Sequence, residues 1–249
     1  MGRVFAQAPS LWRLSSNVFS AGYLLIAAVD IAVLIWAARL CLRYRTHGLI
    51  FASFPLLLVW FDNLVIGVGS TLGEGELLSN MNAVRFIAHF VSLPMGFIAI
   101  GAMAREAGFG WAQPKWVMGP FCLATSFFIA YDLISFSSAS LYPACFADTL
   151  RYTTQVSEHT ACTPAAKIGA GSLISPAPAI ILTVTVIVFG VYLWVRIGWQ
   201  WLALLATGSM AFFAVPMGPT GGIVANLGEP LFIGAIVATA AHVARRSTG

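Results

Sequence analysis

Six ionisable side chains sit inside long apolar stretches of this 249-residue chain: Asp30, Asp62, Arg85, His89, Asp132 and Glu229. In mid-bilayer such a group costs at least about 2.5–3.5 kcal/mol on insertion scales, so each needs a partner, a wet cavity or a proton. Local spacing groups them further. Asn82, Arg85 and His89 fall at i, i+3 and i+7, placing an amide, a guanidinium and an imidazole on one helix face. Asn226 and Glu229 share a face. Pro230 follows and cannot donate to the carbonyl of residue 226, so the helix kinks and one acceptor is freed. Asp62 and Asn63, framed by Trp60 and Phe61, form a second acidic corner. Asp62 and Glu229 both lie deep, lack a basic partner on their own helix and have an amide nearby. Arg85 can neutralise one carboxylate, and a carboxyl left over is expected to keep its proton, as general-acid chemistry requires. Plainer roles exist beside these. Arg85 can snorkel to headgroups. His89 can be a packing histidine, Asp30 can bond a neighbouring helix, and Asp132, beside Tyr131 and the SFSSAS run, can be a helix-end acid.

Such residues need a membrane frame, and composition supplies one. The chain is 59% hydrophobic and only 9% charged, with a mean hydropathy of +0.87; a soluble globule or a disordered chain is excluded. The net charge of +4 comes from basic residues scattered through loops rather than a stripe, so nucleic acid is not an expected partner. Seven stretches approach the roughly 20 apolar residues a span requires: 17–40, 49–70, 83–104, 116–137, 173–195, 199–215 and 221–243. They predict one all-α domain, a polytopic membrane protein of seven transmembrane helices. The first stretch lacks a cleavage site and is read as a retained helix, not a signal peptide. Pro176 and Pro178 can break the start of the fifth; six spans result if 199–215, the shortest, does not cross. PMGPTGG at 216–222 is a turn-rich link.

Basic residues near span ends set the orientation. With the N-terminus outside, eight lie inside (Arg39, Arg43, Arg45, Arg105, Lys115, Arg196, Arg245, Arg246), four lie outside (Arg3, Arg13, Arg151, Lys167), and Arg85 falls within a span. The expected topology is N-out, C-in. The embedded ionisable groups then concentrate toward the outer half, which predicts one outward-facing polar pocket built by spans one, two, three, four and seven. Cys145 and Cys162 fall in the long outer loop, 138–167. Thiols 17 positions apart in an oxidising compartment can bridge, a closure worth about 3 kcal/mol; the alternative is two free thiols. Cys41 and Cys122, in or beside spans, read as packing residues.

The pocket admits some chemistries and excludes others. Lys115 and Lys167 lie at span ends, so a retinal Schiff base is excluded. Histidines are too scattered for a multi-histidine metal site or paired haem ligands, and neither GxSxG nor DxxxD signatures occur. No cofactor and no metal are expected. Two classes remain. One is an enzyme for a hydrophobic substrate entering from lipid, with Asp62 and Glu229 as donor and base beside Arg85 and His89. Asp30, Asn63, Asn82, Asp132 and Asn226 then serve substrate binding with Trp60, while Phe61, Phe86 and Phe90 supply further aromatic walls that can stabilise a carbocation. The other is a proton- or ion-coupled transporter, channel or sensor using the same acids. A structural subunit locked by its polar groups is a third reading. Membrane lipid and a hydrophobic small molecule are the partners expected.

A seven-span chain with an acid after aromatics in span two (WFDN, 60–63) and an acid in the last span (NLGEP, 226–230) resembles the integral-membrane terpene cyclases of meroterpenoid and indole-diterpene pathways. The resemblance rests on architecture and two acid positions. It implies that Asp62 and Glu229 initiate epoxide opening and cyclisation of an isoprenoid. That family carries Glu then Asp, where this chain has Asp then Glu, and Arg85 and His89 are additions to its pattern.

Overall fold

The structure, a computed structural model, describes residues 11–146, 148–162, 168–169, 171, 174–215 and 221–248, with the side chains of 11–17, 159, 221 and 248 left aside. Arg3, Lys167 and most of the 216–222 link therefore lie outside the described residues, as do 163–167 of the long loop and the first residue of the expected fifth span. The membrane-sized elements are helical throughout. Helix α1 (Leu11–Tyr44) is followed by α2 (His47–Ser53) and α3 (Leu56–Leu72), then α4 (Glu76–Ser92) and α5 (Met95–Glu106). Pro55 and Pro94 divide the second and third expected spans into these pairs because a proline withdraws an N–H from the helical ladder. In each case the helix resumes directly after the proline turn, giving apolar spans His47–Leu72 and Glu76–Glu106.

Helix α6 (Met118–Ser137) leads to an antiparallel hairpin, β1 (Tyr142–Phe146) and β2 (Thr149–Thr153), in which Ala144 faces Arg151 and Cys145 faces Leu150. The hairpin was not foreseen within the long loop. Cys145 is disulfide-bonded to Cys162. The chain ends with α7 (Ala177–Ile197), α8 (Trp201–Phe213) and α9 (Gly221–Thr248). Among the described residues, six helical stretches are long and apolar enough to cross a membrane. The expected sixth span, 199–215, is the exception: α8 has 13 residues, about 20 Å of helix against a hydrocarbon core of about 30 Å.

Packing differs between the two ends of the bundle. Away from the hairpin, Leu49, Leu56, Met103, Leu193, Leu202 and Ile233 form a closed apolar core. Outward faces are as apolar as the interior: Leu123 and Ile134 of α6 are each 71% exposed, which suits acyl chains and not water. At the other end, the hairpin docks on α1, α3 and α4. The Phe19 amide donates to the Asp148 carboxylate (3.3 Å), Ser70 Oγ accepts from the Leu150 amide (2.9 Å), and the Gly75 amide donates to the Tyr152 hydroxyl (3.1 Å). Gly69 makes the fit possible, because a Cβ there would run into the Leu150 carbonyl.

Candidate functional site

Beneath the hairpin, a polar thread crosses four helices. Asn63 Nδ2 (α3) donates to Asp30 Oδ2 (α1) at 2.9 Å, and Asn226 Nδ2 (α9) donates to Asn63 Oδ1 at 2.8 Å and to Asp62 Oδ2 at 3.4 Å. Asp62 Oδ1 accepts from Arg85 Nη1 (α4) at 3.2 Å, and Arg85 Nη2 reaches the Tyr152 carbonyl of β2 at 3.4 Å. Neighbouring residues make the thread possible. Asp62 and Asn63 are successive on α3, so one turns toward α4 while the next turns toward α1. Asn63 uses both ends of its amide, satisfying groups that would otherwise be buried without partners.

His89 lies one turn below Arg85. Its Nδ1 is 3.8 Å from Asp62 Oδ1 and its Nε2 is 3.7 Å from Glu229 Oε1, so the ring stands between the two acids. The His89 and Glu229 side chains keep 29% and 19% of their surface open, and Glu229 Oε2 has no hydrogen-bond partner among the described residues. The opening is a chamber of about 430 Å³ whose polar wall includes Asp62, Arg85, His89, Asp132, Asn226 and Glu229. A second chamber, of about 470 Å³, is lined mainly by apolar side chains of α7, α8 and α9, including Ile180, Met210, Phe213 and Phe232. The two share His89, Leu93, Pro176, Ala179 and Glu229. The acid–base groups therefore stand at a seam between a polar and an apolar space.

Several expectations change. Asp62, Arg85, His89, Asp132, Asn226 and Glu229 meet at the chamber. Asp30 and Asn63 are fully buried behind it and hold the thread rather than line the space. Asn82 turns back to its own helix, donating to the Leu78 carbonyl at 2.7 Å. Trp60 also stays local: its indole N–H donates to the Leu57 carbonyl (2.8 Å) and its ring meets Phe61 edge-on, so neither aromatic lines either chamber. The aromatic wall comes from Phe86 and Phe90, clustered with Phe136 at centroid distances of 5.5 and 5.6 Å. Span one contributes no lining residue, whereas α7, absent from the expected set of spans, contributes Pro178, Ala179 and Leu182.

Arg151 is the residue the sequence reading missed. It was counted as an outer-loop charge, yet it is only 6% exposed and lines the polar chamber from β2. Its guanidinium stacks 3.5 Å from the Phe146 ring centroid and is hydrogen-bonded to the Tyr23 hydroxyl. Burial, helped by repulsion from Arg85, pushes its pKa down to about 10. The available signal was strand alternation: in TLRYT, Thr149 and Arg151 share the buried face. Among the described residues, no group of three His, Cys, Asp or Glu side chains has a metal-holding arrangement. No family model, curated protein or solved structure matches this chain.

Proposed function

We propose that the chain is an integral-membrane enzyme carrying out acid–base chemistry on an isoprenoid or related lipid, with cyclisation as the reaction the site suits best. One observation carries the reading: His89 stands between Asp62 and Glu229 at the seam of a polar and an apolar chamber. The apolar chamber takes the hydrocarbon chain and the seam takes the reacting end. Glu229 gives its proton to an epoxide oxygen, the C–O bond breaks, and an alkene π pair closes the ring on the carbon released. Phe86 and Phe90 face the developing cation. The proton lost from the final cation is taken at His89 Nε2 and returned to Glu229, so the enzyme ends as it began. Asp62, held by Arg85 and Asn226, accepts the His89 Nδ1–H and balances the imidazolium. Such contacts are often long without substrate and tighten in its complex.

A transport reading fits less well. A carrier needs a polar route onward from its site, and next to the chamber residues Val59 and Ile233 the side chains of Leu56 and Phe97 belong to a continuous buried apolar core that offers none.

The membrane topology belongs to the same proposal. Arg246, at the end of α9, donates to the carbonyl of Ile197, at the end of α7 (3.2 Å). With those two helix ends together, we read α8 as a short further crossing between α7 and α9, seven in all. Seven crossings put the chain ends on opposite faces. The clustered basic residues favour the cytoplasmic side for the Arg245–Arg246 end, and the disulfide suits an oxidising compartment at the hairpin end.

The test is direct. Purified protein incubated with an epoxidised farnesyl alcohol is expected to yield a cyclic product of unchanged mass, detected by chromatography and mass spectrometry. Glu229→Gln is expected to lower turnover on the order of 10²-fold or more, and Asp62→Asn similarly, with folded protein recovered in both cases. Full turnover in both variants overturns the reading.

A further inference from the structure

The polar chamber carries a feature that proton transfer does not use. Two guanidinium groups face it, and only one is matched: Arg85 is paired with Asp62, while Arg151 has no carboxylate within 4 Å among the described residues. Among the described residues, Arg151 meets a neutral hydroxyl, Tyr23, and an aromatic face, Phe146. The Nε atoms of Arg85 and Arg151 are both buried without a hydrogen-bond partner. Proteins rarely bury a charge without a counter-charge, because desolvation is not repaid. A planar guanidinium fork matches an oxyanion, and two forks from separate elements converging on one space match it better. None of the acids on the same wall pairs with Arg151 directly: Asp62, which attracts it from beyond 4 Å, is taken by Arg85, Glu229 stands beside His89, and Asp132 lies on α6 with no ion pair to either arginine.

We infer that the Arg85–Arg151 side of the chamber binds the oxyanion headgroup, phosphate or carboxylate, of an amphiphile whose chain lies in the adjoining apolar chamber. The inference rests on the two chambers being the substrate site proposed above, and it narrows the substrate from a neutral isoprenoid to an anionic one. The hairpin then has a reason to be pinned so firmly. It carries Arg151 into the membrane-facing bundle and offers the Tyr152 carbonyl to Arg85, so docking it completes the headgroup cradle.

The probes are farnesyl phosphate, farnesol and inorganic phosphate, titrated against the full-length protein in neutral detergent with the thermal midpoint as readout. Farnesyl phosphate is expected to bind on the order of tenfold tighter than farnesol or more, the size of a charge-assisted hydrogen-bond contribution. Inorganic phosphate alone is expected to produce no shift in the same concentration range. Arg151→Met should bring farnesyl phosphate to the affinity of farnesol, and Arg151→Lys should restore part of the difference. Equal binding of phosphate ester and alcohol by the unaltered protein overturns the inference. So does an unchanged preference in Arg151→Met, or inorganic phosphate binding as tightly as the ester. Glu229→Gln should bind farnesyl phosphate normally. Unaltered protein that binds farnesyl phosphate but shows no turnover would count against the catalytic reading alone, and turnover without any phosphate preference would count against this one alone.

Discussion

At the scale of single residues, the site is built from groups that cost stability where they stand. Arg151 is the clearest. Its pKa is pushed from the ordinary arginine range down to about 10, mainly by burial, so it is charged in both folded and unfolded chains at neutral pH and the folded state bears a penalty on the order of 3 kcal/mol. The sign is that of a base with a depressed pKa: the penalty holds throughout the neutral range and eases only as pH rises through the folded value. Arg151→Met is expected to keep or raise the thermal midpoint of the ligand-free protein at pH 7 while losing headgroup recognition. A midpoint lower by more than a few degrees would show that the guanidinium is structural. Asp148, in the hairpin turn, shifts the opposite way. Burial raises its pKa more than its own amide and that of Phe19 lower it, so the folded state favours the protonated acid. Its contribution is largest at acid pH and is lost as pH rises through the raised value. Asp148→Asn, neutral at every pH, should therefore leave neutral-pH stability unchanged or improved and flatten its dependence between mildly acid and neutral conditions, as read from thermal midpoints across pH.

At the scale of elements, two close approaches hold the site together. Gly69 of α3 lies against the Leu150 carbonyl, and a side chain there would meet backbone that cannot swing away. Gly69→Ala is expected to cost about 1–3 kcal/mol, as overpacking does, and to release the hairpin. The Cys145–Cys162 bond should then reduce faster under mild thiol, and Arg151-dependent binding should weaken. An unchanged reduction rate would show that the hairpin docks without this contact. Gly190 plays the corresponding part between α7 and α8, where a Cβ would fall 2.6 Å from the Ala203 nitrogen. Replacing both Cys145 and Cys162 by serine should cost about 3 kcal/mol, the cost of freeing a loop of this length. How far each element could be read from sequence depended on the period of its pattern. Runs of apolar residues identified the long helices. Proline positions marked trouble at Pro176, but not that Pro55 would divide the second span, since local rules fix a break without fixing its angle. The hairpin stayed hidden because its five-residue strands alternate weakly and dock through polar contacts of Asp148, Leu150 and Tyr152, not through a hydrophobic face.

At the scale of the whole molecule, Asp62, Glu229, Arg85 and His89 could be paired from sequence because intramembrane polar groups have few alternatives to one another. What periodicity could not show was who stands behind whom. Asp30 and Asn63 looked like lining residues, yet the way α1 crosses α3 places them in a buried support. Trp60 looked like a wall, yet it lies on a different face of α3 from Asp62. Arg151 was misplaced for a related reason, since a charge in a loop counts toward topology unless the loop folds back over the bundle. Topology itself is open to labelling. In a background with Cys41→Ser and Cys122→Ser, a membrane-impermeant thiol reagent is expected to label Glu74→Cys in intact cells and Ser247→Cys only after permeabilisation. Both labelling from the same side would mean that the number of crossings is even.

The account stands on the second and last membrane helices meeting at the acid site, through the Asn226–Asn63 bond of 2.8 Å. The most direct measurement is chemical cross-linking of the double variant Asn63→Cys, Asn226→Cys in native membranes, with a protease site placed between α6 and α7 to separate the halves. A short bifunctional thiol reagent is expected to hold the two halves together on a denaturing gel after cleavage. Two thiols that each react singly but never join would contradict the account.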